Sequence, residues 1–171
     1  VVNWGLFNFN DPNFAFNYAI GKLDYKVLES STNYAVYQYT HPSDKRRLYE
    51  NQLFLTKTQK QKLIQKVNWW LKPENSTYRY HFFYQNCSTI IRDLLSEVMG
   101  PSFDKQLKEK NHKTFRHMGR QYFSNYPFFA FMAPLIFNSD ADKPISYWER
   151  FRVPVEAPDI LEKIRQVDDN G

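Results

Sequence analysis

A chain of 171 residues and 20.6 kDa is long enough to bury one core without covalent staples and short for two domains, so residues 1–171 read as a single domain. Hydrophobic residues at 42% and aromatic residues at 18% exclude wholesale disorder, while one Cys and five Gly exclude a disulfide scaffold, a collagen, a multi-thiolate zinc site and an iron–sulfur cluster. A net charge of +5 and a pI near 9.2 permit attraction to an anionic membrane or a nucleic acid and select neither.

The opening VVNWGLFNFNDPNFAF reads as a strand running into a loop, with Gly5 and Asp11-Pro12 as turn signals. Residues 22–28 put Leu23, Tyr25 and Val27 on one face. Residues 33–39 put Ala35, Tyr37 and Tyr39 on one face, and the intervening Ser30-Ser31-Thr32-Asn33 completes the pattern of an antiparallel hairpin. After the His41-Pro42-Ser43-Asp44 turn, the charged stretch Lys45 to Gln52 predicts a short helix. Thr56 with Gln59 forms a capping box, and Leu63, Ile64, Val67, Trp70 and Leu71 recur at helical spacing up to Pro73, which predicts a helix over Thr56–Leu71.

Tyr78 to Tyr84 is aromatic and β-prone, and a second helix over Cys87–Val98 follows. Its apolar stripe is Ile90, Ile91, Leu94, Leu95 and Val98, and Gly100-Pro101 stops it. Residues 103–126 are basic and helical in pattern. The aromatic 127–137 segment suits a core helix or an interfacial one, and Pro127 and Pro134 keep it well short of the roughly 20 apolar residues that span a bilayer. Ser146 with Glu149 forms a further capping box, and Pro158 to Val167 predicts a terminal helix. The first residue is Val1 and no basic-then-apolar leader precedes the folding sequence, so a signal segment is expected to be removed or to lie outside this chain.

Cys87 is the sole thiol and stands where the β-prone run gives way to a helix. The first turn of a helix offers the positive end of the macrodipole and free backbone N–H groups, which favour thiolate and can donate to an oxyanion. An isolated Cys is also often a small buried apolar residue. Asn86 suits either a helix cap or an oxyanion site. Arg92 and Asp93 lie about 140° and 240° around the helix from Cys87. That separation suits a buried Arg–Asp network tying the helix to the hairpin better than a substrate-orienting role. The cations Lys105, Lys108, Lys110, Lys113, Arg116 and Arg120 interleave with Phe115, Tyr122 and Phe123, a composition that suits membrane headgroups above nucleic acid in the absence of a nucleic-acid module.

The run from Tyr78 to Leu95, YRYHFFYQNCSTIIRDLL, resembles the signature Y-x-Y-x-F-F-x-x-N-C-x-T-x-x-R-D-L-L of the Lnb N-terminal domain family of the bacterial cell envelope. Further landmarks follow in order. They are Asn3-Trp4-Gly5-x-Phe7-x-Phe9, Gly21-x-Leu23-x-Tyr25, Arg47 through Leu53-x-Leu55-Thr56, Thr114-Phe115-Arg116, Asn125-Tyr126-Pro127 and the Ser139-to-Phe151 segment.

The resemblance implies an α+β fold of permuted papain-like order, with a small antiparallel sheet packed against helices and helical C-terminal additions. It also implies a periplasmic thiol acyltransferase, similar to lipoprotein N-acyltransferases. In that reading Cys87 is the nucleophile, a phospholipid is the acyl donor, a lipoprotein N-terminal amine is the acceptor and the inner membrane is the working surface. No cofactor, metal or nucleic acid is implied. The family's Gly-His segment lies upstream of Asn3-Trp4-Gly5, so the residues from Val1 onward are expected to lack the His-bearing strand and the general base, and to be inert alone. His41, His81, His112 and His117 are weak substitutes; His81 lies about 20 Å from Cys87 if the chain between them is extended. A thiol peptidase or amidase of cell-wall peptides, or a non-catalytic envelope-binding module, are the alternative readings.

Overall fold

The computed structural model describes residues 1–7, 12–20, 22–40, 48–81, 84–110, 112–122, 124–126, 128, 131–132 and 139–164. The architecture is α+β. Three short antiparallel strands, β1 (Val2–Leu6), β2 (Asp24–Glu29) and β3 (Thr77–Arg79), form a sheet in the order β1-β2-β3. Val2 faces Glu29 and Asn3 faces Leu28, and after an irregularity Leu6 faces Lys26; on the other edge of β2, Tyr25 faces Tyr78. The alternation read from the sequence is realised in β2 and the residue before it, where Leu23, Tyr25 and Val27 are buried and the residues between them face outward.

Two helices cover the inner face of the sheet. Thr56 caps α3 (Lys57–Trp70) through the reciprocal bonds with Gln59 that its spacing predicts. Asn86 caps α4 (Cys87–Met99), and Gly100, at φ 83°, takes the left-handed conformation that a side chain would strain. Pro101 then begins α5 (Pro101–Leu107) at once, so the predicted stop is a corner between two helices. Trp4, Leu23, Tyr25, Val27 and Tyr78 from the sheet side close on Ile90, Leu94 and Val98 of α4, with Leu63, Val67 and Trp70 of α3 packed against them. Leu95 turns to a second cluster with Phe103, Leu107, Phe151, Ile160 and Ile164. Thus α4 is the shared wall of two apolar cores.

The remaining helices are α1 (Phe14–Ala19), α2 (Thr32–Thr40), α6 (Phe115–Tyr122), α7 (Tyr147–Arg150) and α8 (Ala157–Lys163). The predicted strand at 33–39 is in fact α2. Both edges of β2 are already taken by β1 and β3, so a third partner has no ladder to join, and of this segment only Ala35 is buried. The antiparallel neighbours of β2 are β1, across the connection that carries Phe14–Ala19, and β3. The predicted 45–52 helix lies partly outside the described residues, and 48–52 carry no helix. The β-prone run shortens to Thr77–Arg79. The basic 103–126 stretch breaks after Leu107, where Lys110 forms a bridge with Ser146 and draws the C-terminal part alongside. Most of 127–137, and the end of the terminal helix beyond Ile164, lie outside the described residues. Among the described residues no helix is long and apolar enough to cross a membrane.

Candidate functional site

Cys87 is the first residue of α4. A tight reversal leads to it: His81 and Gln85 exchange both backbone hydrogen bonds, at 2.9 and 3.0 Å. The side-chain oxygen of Asn86 then accepts from the N–H groups of Ser88 and Thr89, each at 2.9 Å. Thr89, wholly buried, returns the bond by accepting from the Asn86 N–H at 2.8 Å. This is a capping box in which a threonine hydroxyl replaces the usual longer side chain, and it holds the start of the helix in one geometry.

The thiol is half-buried. It sits against β1 at Gly5, where a methyl group would meet Cys87 Cβ at 3.6 Å and Sγ at 3.9 Å. Burial pushes the thiol pKa up, and the Ser88 hydroxyl with the N–H groups of Ser88 and Cys87 oppose that without cancelling it. The expected thiolate-favouring balance is therefore reversed, because desolvation of the sulfur outweighs the helix terminus. Tyr78 belongs to the apolar cluster against which Cys87 packs. Burial, and then the neighbouring Cys87, Tyr25 and Tyr80, raise its phenol far above the usual range, and its hydroxyl donates to the Trp4 carbonyl, so it stays a neutral donor.

The other predicted site residues separate by role. The Asn86 amide is engaged at both ends, since its nitrogen donates to the Arg152 carbonyl at 2.9 Å while its oxygen caps the helix. Arg92, 6% exposed, donates through Nε to Asp93 at 2.8 Å and through Nη1 to the Trp148 carbonyl at 3.2 Å, and its guanidinium lies 3.9 Å over the Trp148 ring. The Arg–Asp pair therefore ties α4 to α7, and the expected tie to the hairpin is not made. Helix geometry turns Arg92 away from the sheet, as the angular spacing requires.

The histidines lie elsewhere or are committed. His81 is exposed, with its ring 4.7 Å from Tyr84 and Nδ1 accepting from the Tyr84 N–H at 3.3 Å. His112 and His117 are exposed, and His41 lies outside the described residues. Of the basic segment, Lys113 pairs with Glu156 and Arg116 with Asp142, so part of that charge braces the fold. Among the described residues no group of three His, Cys, Asp or Glu side chains could hold a metal ion.

Sequence reasoning missed the contribution of residues 148–152. Nothing local in that segment marks it as a partner of a helix start more than sixty positions earlier. It also missed a groove of about 740 Å³ between α3 and α4, floored by Ile90 and Leu94 and walled by Trp69, Trp70 and Tyr84, which begins about one helical turn from Cys87.

One family, described as the Lnb N-terminal periplasmic domain, matches residues 1–121, a stretch that includes all three strands and the Asn86-Cys87 turn. No curated protein and no solved structure matches the chain.

Proposed function

The chain belongs to the Lnb N-terminal periplasmic domain family, and from that premise we propose that it is a thiol acyltransferase domain with Cys87 as its nucleophile. Membership supports a periplasmic, envelope-related role. The observation that carries the finer reading is the sole thiol of the chain at the first residue of a rigidly capped helix.

In the first step the sulfur attacks the carbonyl carbon of a phospholipid ester. The S–C bond forms, the ester C–O bond breaks, and the thiol proton passes through a general base to the departing alkoxide. In the second step the N-terminal amine of a lipoprotein attacks the thioester. The N–C bond forms, the S–C bond breaks, and the amine proton returns to the sulfur. Because burial raises the thiol pKa, the first step depends on that base. The groove that begins about one helical turn from Cys87, lined by Trp69, Trp70, Ile90 and Leu94 together with Lys62, Lys66, Asp93 and Glu97, suits a chain with an apolar body and a polar end. Exposed Tyr126, Phe128 and Phe131, following the basic α6, suit contact with the inner-membrane surface.

The test is to incubate the intact full-length protein with phospholipid vesicles, quench in acid and weigh it intact. A hydroxylamine-labile acyl adduct is expected on Cys87 and none in Cys87→Ser, whose hydroxyl is nearly isosteric but far less acidic. Full lipoprotein acylation by the Ser variant would sink the assignment, and a peptide-derived adduct would replace it with a thiol peptidase.

A further inference from the structure

The strand that abuts the thiol has a second edge. Val1 and Ser30 exchange both backbone hydrogen bonds, each at 2.8 Å, and Val2 then faces Glu29. Bonded and non-bonded pairs alternate along an antiparallel ladder, so the N–H and C=O of Val2 point away from β2. Among the described residues β2 is the only strand beside β1, and Val2, Asn3 and Gly5 are partly exposed. Edge strands are ordinarily guarded against pairing by charged side chains or proline, yet residues 1–10 contain neither.

This edge has a defined end. Between Asn3 and Leu6 the register with β2 shifts, and side chains take the backbone groups there. The Trp4 carbonyl accepts from the Tyr78 hydroxyl, and the Gly5 N–H donates to Asn3 Oδ1 at 3.0 Å. A bulge of this kind terminates pairing. It does so against the thiol, since a methyl group on Gly5 would stand 3.9 Å from Cys87 Sγ. A strand added to β1 therefore ends next to the sulfur.

We propose that the free edge of β1 receives the acceptor polypeptide as an added antiparallel strand, with Val2 holding one of its residues and its N-terminal amine delivered to Cys87. Only the antiparallel direction puts an N-terminus at Gly5 and the rest of the peptide beside Val2. Val2 precedes Gly5 by three positions, roughly 10 Å along a strand, so the residue it holds is the third or fourth from the amine. Main-chain hydrogen bonds supply affinity without reading side chains, which suits acceptors that share a terminus and not a sequence. The identity of the occupant rests on the reading of Cys87 as an acyl-transfer nucleophile; the pairing rests on the strand.

The probe is a hexapeptide of S-methylcysteine followed by five uncharged residues, with a free α-amine and a dye at its C-terminus. Fluorescence anisotropy reads its binding to the intact full-length protein carrying Cys87→Ser. Residues two to six of the peptide are N-methylated one at a time. Methylation at either the third or the fourth residue, and at no other, should weaken binding about tenfold, as expected for one lost hydrogen bond whose partner is left unanswered. Any other pattern overturns the proposal.

On the protein side, Val2→Pro removes the outward N–H and should also weaken binding about tenfold, whereas Val2→Ala trims the same side chain, keeps the donor and should not. The two variants should melt within about 2 °C of each other, because that N–H lies outside the ladder. A clearly lower midpoint for Val2→Pro would mean that the group is already paired within the protein, and the edge would not be free. Dimers in gel filtration that Val2→Pro dissolves would assign the edge to a second copy of the chain and sink the proposal equally.

A neutral p-nitrophenyl acyl ester separates this inference from the reading it serves. Acylation of Cys87 by the ester, with transfer to the peptide lost in Val2→Pro, supports both. Transfer unchanged in Val2→Pro removes the docking edge alone, and peptide binding without acylation removes the thiol assignment alone.

Discussion

The two sides of α4 are built from different materials. On the sheet side rings meet rings: Trp4 and Trp70 edge to face at 5.4 Å, Tyr25 stacked on Tyr80 at 4.4 Å and on Phe7 at 4.8 Å. On the other side the apolar cluster of Leu95, Phe151 and Ile160 is braced by a buried ion pair between Arg150 and Glu156, with Lys113 and the Tyr122 hydroxyl also on Glu156 and Asp159 also on Arg150. Stacked rings lose stability in proportion to the area removed. A desolvated ion pair instead fails as a unit, because one partner left alone is an uncompensated charge. The thiol helix thus has a forgiving wall and an unforgiving one.

The sharpest way to break this contrast is Glu156→Ala. It leaves Arg150, which is 2% exposed, with only the half-exposed Asp159 as a partner, and should cost about 3 kcal/mol in urea unfolding, the low end for a broken buried pair. Replacing both partners, Arg150→Met with Glu156→Leu, should recover most of that loss; if the double variant were as unstable as the single one, the wall would not be ionic in character.

Acid should act on the same side. Burial pushes the Glu156 carboxyl up, but Tyr122, Arg150 and Lys113 together outweigh it and hold it below the ordinary carboxylate range. Its contribution is therefore complete above the unfolded value of about 4.3 and is lost as pH falls through the lower folded value. Amide exchange on lowering the pH should show α7 and α8 opening before the sheet; simultaneous opening would erase the distinction.

A smaller effect is expected at the helix start that both walls share. Asn86→Ala removes the cap and the tether to residue 152 and should cost about 1–2 kcal/mol. Thr56→Ala, which removes a cap alone, should cost about 1 kcal/mol, and equal losses would mean that the tether contributes nothing. Smallest in stability is Gly5→Ala. Its methyl would stand at ordinary contact distance from Cys87, 3.6 Å from Cβ and 3.9 Å from Sγ, so the midpoint should move by less than about 1 kcal/mol. Alkylation of the thiol by iodoacetamide should nonetheless slow, and an unchanged rate would show that the sulfur is approached from another direction.

What could be read from the sequence was whatever local chemistry decides. The capping boxes at Thr56 and Ser146 form as their spacing requires, the buried face of β2 follows its alternation, and Cys87 begins a helix because Asn86 precedes it. Segment 33–39 misleads because Tyr and Val alternate there as they do in strands, whereas strand formation is settled by a free ladder elsewhere in the chain. The raised thiol pKa was equally hidden. The helix terminus is a local property, but the burial that overrides it comes from the sheet. Arg92 was legible as a structural anchor and its partner was not, since Trp148 is 56 positions away.

The tether between Asn86 and Arg152 spans 66 positions and sets an order of events. A chain that emerges N-terminus first can assemble the sheet, α3 and α4 from residues already available, while the bond from the Asn86 side chain to residue 152 forms only after residue 152 arrives. The turn before the thiol is therefore the last part of the sheet side to be locked, and a nascent chain stalled before that point would carry a folded core with a loosely held Cys87.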